Sequence, residues 1–386
     1  MVKLVDEGGC SSLRVRDLAS VAGVSTRALY KRFGSVEDCF VSTHDWLLSG
    51  ALRPPTSRSE TKDTWETDLR ISLRELATAI ARRPGEAHLV LVDPYALPPG
   101  ARRRLRSPVA AFEDLLRSSF SAAGARRTVA PRLLRAMAAG AVGVARSRVA
   151  SRDVDELPRL ADELADWAVS LSVAADRRVV PHRNIAPRDT LAAARSSGDL
   201  RQTSAAAMGD ERGRILVAVL RIAAADGYAS LTVPKVRAEA GVSRRAFDAR
   251  FDSTQDAFLV AVEELVLAAS VAVERTWNEG GEWEQSIYRS CVSLCAEVAR
   301  NQALARVVLI EILEPGVEGS RCRDRLIATA ASRLRAAAPP SRRPSQAAAE
   351  ASIAAAWELV AEELAHVGRR DFRRLPAALA RVLVFA

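Results

Sequence analysis

The sequence states one pattern twice, 218 positions apart: Leu13, Val15, Ala22, Gly23, Val24, Ser25, Arg27, Ala28, Arg32, Phe33, Asp38 and Phe40 recur as Leu231, Val233, Ala240, Gly241, Val242, Ser243, Arg245, Ala246, Arg250, Phe251, Asp256 and Phe258. A period this long marks a duplicated domain, not a solenoid of short repeats. The offset persists downstream, since Trp65 answers to Trp283 and Leu157-Pro158 to Leu375-Pro376. The repeated unit therefore takes in most of each half, and 386 residues give each copy room for a core of its own.

Alternating β-branched runs are nearly absent, while Ala, Leu and Arg recur at spacings of three and four, which predicts an all-α chain. Trp65, Leu69, Leu73, Leu76 and Ile80 fall on one helical face, and Trp283, Ile287, Cys291, Leu294 and Val298 repeat that stripe. Both stripes read first as core. Ala138, Ala139, Gly140, Ala141 and Gly143 predict a close helix approach, and a helix entered through Pro158 is expected over Leu157 to Leu171. From 173 to 210 the periodicity weakens around Pro181, Pro187, Gly198 and Gly209, which predicts a linker with a short helix near Leu191 to Arg195. A proline-rich loop is expected over Ala336 to Ser345.

Formal charge is +9 and the pI near 9.8, which suits an anionic partner such as nucleic acid, although an arginine- and alanine-rich composition also follows from a GC-rich genome. No apolar run spans a membrane and the start MVKLVDEGG has no leader pattern, so a cytoplasmic protein without membrane contact is expected. The five cysteines have no metal-ligand spacing; Cys291 and Cys295, one turn apart, read as small buried hydrophobes rather than a redox pair. His44, His88, His182 and His366 share no motif with carboxylates or cysteines. No metal, cofactor or catalytic constellation can be assembled, so an enzyme is not expected.

Val15 to Ala22 is a short amphipathic segment, Gly23-Val24 a tight turn, and Ser25 to Phe33 a second helical segment. This is the logic of a helix-turn-helix. Small Ala19 lets the helices cross, Gly23 gives the turn its backbone freedom, and Val24, Leu29 and Phe33 are expected in the core. With Ser25 as N-cap, Thr26 and Arg27 are placed to reach base edges of double-stranded DNA, and Tyr30, Lys31 and Arg32 to reach phosphates or flanking bases. The corresponding residues of the second copy are Ser243, Arg244, Arg245 and Arg250.

The run LRVRDLASVAGVSTRALYKRFGSVEDCF resembles the DNA-binding signature of TetR-family transcriptional regulators, and LTVPKVRAEAGVSRRAFDARFDSTQDAF resembles a more divergent copy of it. The resemblance is most specific at GVSxxALYxxF. It implies, for each half, an all-α regulatory domain with a ligand cavity between helices and two last helices forming a four-helix interface. The expected plan is a helix-turn-helix domain over 1–46, a helical regulatory domain over 47–172, the linker 173–210, a divergent helix-turn-helix domain over 211–264, and a second regulatory domain over 265–386. The two units are expected to pack as an intramolecular pseudodimer. For a small-molecule effector, the resemblance offers Tyr95 and Phe112 as pocket residues in the first unit, and Trp65 and Trp283 as residues that either line cavities or fix the core.

The two copies are unequal. Where the family usually carries a lysine after the serine that follows the recognition helix, this chain has Val36 and Thr254. In the second copy the family's tyrosine is Asp248, which repels a phosphate, and the small residue at the helix crossing is Arg237, which must snorkel outward. The second copy's first helix is expected from Glu211, while the first copy starts about eight residues later in register. That offset reads as a shortened first helix or a start assigned too late. Arg102, Arg103, Arg104 and Arg106 read as a solvated basic turn. The functional expectation is a ligand-responsive repressor that binds an asymmetric operator, with the first head as principal reader. The alternative is a small-molecule or protein-binding scaffold whose second head is degenerate.

Overall fold

A computed structural model describes residues 1–8, 13–52, 65–122, 129–174, 210–277, 282–365 and 372–384. The chain divides into two compact units, Met1–Ala175 and Asp176–Ala386. Among the described residues all regular structure is helical. Apart from 173–174 and Asp210, the expected linker lies outside the described residues, as do Cys10, His182 and His366.

In the first unit, α1 (Val2–Gly8), α2 (Val15–Ala22) and α3 (Thr26–Arg32) form the head, and α4 (Val36–Ala51) leads out of it. The body follows as α5 (Trp65–Arg82), α6 (Pro84–Leu91), a 3-10 turn at Asp93–Ala96, α7 (Pro99–Arg102), α8 (Pro108–Ala122), α9 (Pro131–Ser151) and α10 (Leu157–Ala174). Helix α4 is amphipathic and buries Phe40, Leu47 and Leu48 in one cluster with Val5 of α1, Leu89 and Val90 of α6 and Ala111 of α8. The head is thereby bolted to its body through apolar burial. The head's own core is small, with Leu18, Ala19 and Leu29 buried. Helix α9 is buried along most of its length, and its small residues let neighbours approach as expected. Helix α10 is tied along α5 by Arg74, whose guanidinium donates to both Asp162 oxygens at 2.6 and 2.8 Å, and by Arg70 to Asp166 at 2.6 Å.

In the second unit, α11 (Glu211–Asp226), α12 (Val233–Ala240), α13 (Arg244–Asp248) and α14 (Thr254–Trp277) precede α15 (Trp283–Arg300), α16 (Gln302–Leu309), α17 (Val317–Ala337), α18 (Gln346–Ala365) and α19 (Leu375–Val384). Asp210 caps α11 by accepting the Gly213 N–H at 2.6 Å. Ile215, Leu216, Val219 and Ile222 of α11 share one core with Val236, Phe247, Phe251 and Phe258. The loop between α17 and α18 holds a 3-10 turn at Pro340–Arg342, where the proline-rich stretch was expected.

Helix limits keep the sequence register: α2 and α12, α5 and α15, and α6 and α16 each begin and end at positions 218 apart. Further along the register slips: α8 and α17 end 215 positions apart, and α9 (Pro131–Ser151) and α18 (Gln346–Ala365) stand 214 to 215 apart. Pro108 begins α8 after a break behind α7, because proline disfavours helical geometry in the residue before it. The second unit has no such break, since α17 runs uninterrupted from Val317 to Ala337.

Candidate nucleic-acid interface

The turn between α2 and α3 forms because Gly23 adopts a left-handed φ of 66° and its N–H closes back on Ala19 and Ser20. A side chain there would meet open space, so it is the backbone angle, not crowding, that asks for glycine. Gly241 repeats the turn at φ 63°. Ser25 then caps α3 by accepting the Ala28 N–H at 3.1 Å, and Ser243 caps α13 by accepting the Ala246 N–H at 3.1 Å. Capping leaves each short helix with its N-terminal end turned outward.

Leu29 anchors α3 at 5% exposure, and the rest of the helix faces solvent. Thr26, Arg27, Tyr30, Lys31 and Arg32 are all exposed, and Arg27, Lys31 and Arg32 make no ion pair among the described residues. The expectation for Val24 is corrected. It is 45% exposed and not in the core, whereas its counterpart Val242 packs against the cluster that α11 builds.

The second head has the same frame and a different surface. Arg244 donates to Asp248 at 3.2 Å, so an expected DNA contact and the carboxylate expected to repel DNA neutralise one another. Arg250 pairs with Glu211 at 2.8 Å and donates to the Ala246 carbonyl at 3.0 Å. Arg245 is exposed and makes no ion pair among the described residues. Arg237 is half-buried at the helix crossing, and its Nε finds no hydrogen-bond partner.

Each head is fastened to its body by an acidic position on the long helix. In the first unit Arg104 pairs with Asp38 at 2.6 Å, and Asp45 accepts the Arg106 N–H at 3.4 Å. The Arg104 guanidinium, through its hydrogen bond, holds the Asp38 carboxyl below its usual value. The arginines of this turn are thus only partly a solvated cluster: Arg104 grips α4, and Arg106 pairs with Asp114 at 3.3 Å. In the second unit Glu263, in register with Asp45, takes Arg325 and the Cys322 thiol of α17. Sequence reading missed both fastenings, because pairs between distant segments leave no periodic trace.

Behind α4 of the first unit lies a cavity of about 660 Å³, walled by α4, α5, α6, α8, α9 and α10. Phe112, offered above as a pocket residue, is one of its wall residues. Trp65 stacks instead on Phe120 at 4.5 Å, and Tyr95 sits half-buried in the 3-10 turn; neither is among the cavity's walls. Trp283 is half-buried at the start of α15. Leu73, Leu76, Ile80 and the exposed Trp46 are wall residues that sequence reading did not assign to a pocket.

Residues 2–43 match the family model described as bacterial regulatory proteins, tetR family. No curated protein matches the chain. No helix among the described residues is long and apolar enough to cross a membrane. The matched segment runs from α1 into α4 and holds the capped, cationic α3, and it supports a DNA-binding transcriptional regulator that reads DNA through a TetR-type helix-turn-helix.

Proposed function

We propose that the chain is a ligand-responsive repressor built as a covalent pseudodimer of two unequal TetR-like units, with the first head as principal reader of an asymmetric operator. The observation that carries this reading is the contrast between the two recognition helices. In α3 the cationic groups stand exposed, while in the second head Arg244 and Arg250 are engaged by Asp248 and Glu211. Phosphate attraction scales with the free positive charge presented, so the first head is favoured. Within that reading Arg27 reads a base edge, and Lys31 and Arg32 hold phosphates.

Effector response has a structural route in the first unit. Helix α8 brings Phe112 and Leu115 to the cavity wall, and the turn before α8 holds α4 through Arg104 and Arg106. A ligand that repositions α8 shifts that turn, and with it the helix that carries the head; the two sites are then coupled in free energy. Gel shifts across genomic fragments at low salt test the function. Sequence-selective complexes are expected, and uniform weak binding to all fragments contradicts it.

A second reading, a scaffold whose second head is inert, draws on the same neutralised cations. The combined Asp248→Tyr and Arg237→Ala variant separates the two. A gain in DNA affinity means that the second head is a weakened reader, and an unchanged affinity favours the scaffold.

A further inference from the structure

The turn that carries Arg102, Arg103, Arg104 and Arg106 belongs to the first unit's helical body, yet it is fixed to the head. Leu97 before it and Leu105 within it pack on the apolar cluster that buries Phe40 of α4. Backbone bonds close it: the Arg104 N–H donates to the Ala101 carbonyl at 3.0 Å, and the Leu105 N–H to the Arg102 carbonyl at 3.1 Å. With Leu105 turned inward, the side chains of Arg103, Arg104 and Arg106 are left exposed. Arg104 reaches Asp38 at 2.6 Å, and Arg106 reaches Asp114 at 3.3 Å. Arg103 makes no ion pair among the described residues.

The position of Asp38 fixes which end of the head the turn meets. It lies in the first turn of α4, which Ser35 caps by accepting the Asp38 N–H at 3.0 Å. Only Phe33, Gly34 and Ser35 separate that turn from Arg32, so the start of α4 follows directly on the basic last turn of α3. The ion pair with Arg104 therefore brings a cationic loop of the body to the end of the head where Lys31 and Arg32 stand exposed. It also cancels the charge of Asp38, which leaves Glu37 as the one acidic group of that turn without an ion pair among the described residues. Lys31, Arg32 and Arg103 outnumber it, so this end of the unit attracts a polyanion. In the second unit the register partner Asp256 instead accepts the Asp252 N–H at 3.2 Å, and Arg321 in the first turns of α17 pairs with Glu318 at 2.6 Å.

We propose that the body of the first unit takes part in holding DNA: Arg103 contacts a backbone phosphate of the duplex that α3 reads, and Arg104 is the positioning residue that keeps the turn on the head. This rests on the TetR-type DNA-binding reading and adds a contact from outside the helix-turn-helix. A guanidinium suits a phosphate because its planar fork of N–H groups pairs with two oxygens at once. Such a contact fixes the register and orientation of the protein on the duplex and carries no base preference of its own.

The full chain and a duplex selected by it test the proposal, with affinity read by fluorescence anisotropy over a range of salt concentrations. Arg103→Ala should lower the slope of log affinity against log salt by about 0.9; over the decade from about 1 M to about 0.1 M that amounts to a roughly eight-fold loss at the lower salt. Base preference should not change. Arg159→Ala removes an exposed arginine of α10 that makes no ion pair among the described residues, controls for net charge, and should leave affinity and slope near those of the unaltered chain. Replacing phosphates one at a time by neutral methylphosphonates should reveal a linkage whose neutralisation weakens binding by the unaltered chain but not by Arg103→Ala. Arg104→Ala should lose sensitivity to that same linkage, which a merely destabilised fold would not do. The proposal is overturned if Arg103→Ala keeps the original affinity and slope, if Arg159→Ala loses as much, or if no linkage shows the paired loss. An unaltered chain that binds no duplex selectively contradicts the TetR-type reading itself, and the inference falls with it.

Discussion

Ser25→Ala and Ser243→Ala form a matched pair, because each serine accepts one N–H at 3.1 Å at the start of a short recognition helix. Losing such a cap costs about 1 kcal/mol of helix stability. Helix α3 has little else to hold it, since Leu29 is its only buried residue. The full cost should therefore appear as local fraying of α3 and, at about 1.4 kcal/mol per ten-fold, as roughly a five-fold loss of DNA affinity. In thermal unfolding the same loss shifts the first unit's midpoint by about 2–4 °C. Ser243→Ala should destabilise α13 by a similar amount, yet, with the first head as the proposed principal reader, leave DNA affinity within about two-fold. Fluorescence anisotropy on one selected fragment, with a melt of each variant, reads both quantities. Equal affinity losses from the two variants would refute the assignment of the first head as principal reader.

Lys31→Ala should weaken binding to every fragment alike and lower the slope of log affinity against log salt by about 0.9, the signature of one lost phosphate contact. Arg104→Ala should leave binding of the neutral hydrophobic dye N-phenyl-1-naphthylamine to the first unit's cavity intact while bringing the dye affinities with and without bound operator toward equality, since it cuts the tie between α4 and the turn before α8. Because Arg104 holds the Asp38 carboxyl below its usual 3.8, this pair contributes fully above that value and is lost only as pH falls through the lowered one. Coupling that runs through it should therefore be flat across neutral pH, and a titration of dye affinity with and without operator checks this. Burial pushes the Cys291 and Cys322 thiols up to about 12 and the Cys295 thiol higher still. Thiol labelling of native protein near neutral pH, read by peptide mass spectrometry, should leave all three unmodified until the chain unfolds.

The features most legible in the sequence were those set by local chemistry. Gly23 and Gly241 announce left-handed turns, Ser25 and Ser243 announce caps, and Pro158 sits in the first turn of α10, so each is recoverable from neighbours along the chain. Features set by what is packed across space were not. Val24 reads as core by pattern, but its burial depends on which helix covers it, and only Val242 packs against such a cover. The arginine turn reads as solvated until Asp38 and Asp45 are seen opposite it. The cavity was hardest to foresee, because Ala141, Ala145 and Ala161 carry the same signal whether small residues admit a neighbouring helix or leave a void.

The central claim, that this chain reads DNA chiefly through α3, is tested most directly by comparing Arg27→Ala with its register partner Arg245→Ala. Both residues are exposed, and neither makes an ion pair among the described residues, so neither substitution disturbs the fold. Affinity for a genomic fragment selected by the unaltered protein is the measurement. Arg27→Ala should cost about 1–3 kcal/mol and relax preference at one base pair, as loss of a base contact does, whereas Arg245→Ala should change affinity by less than about two-fold. A larger loss from Arg245→Ala, or equal small losses from both on every sequence, would contradict the account.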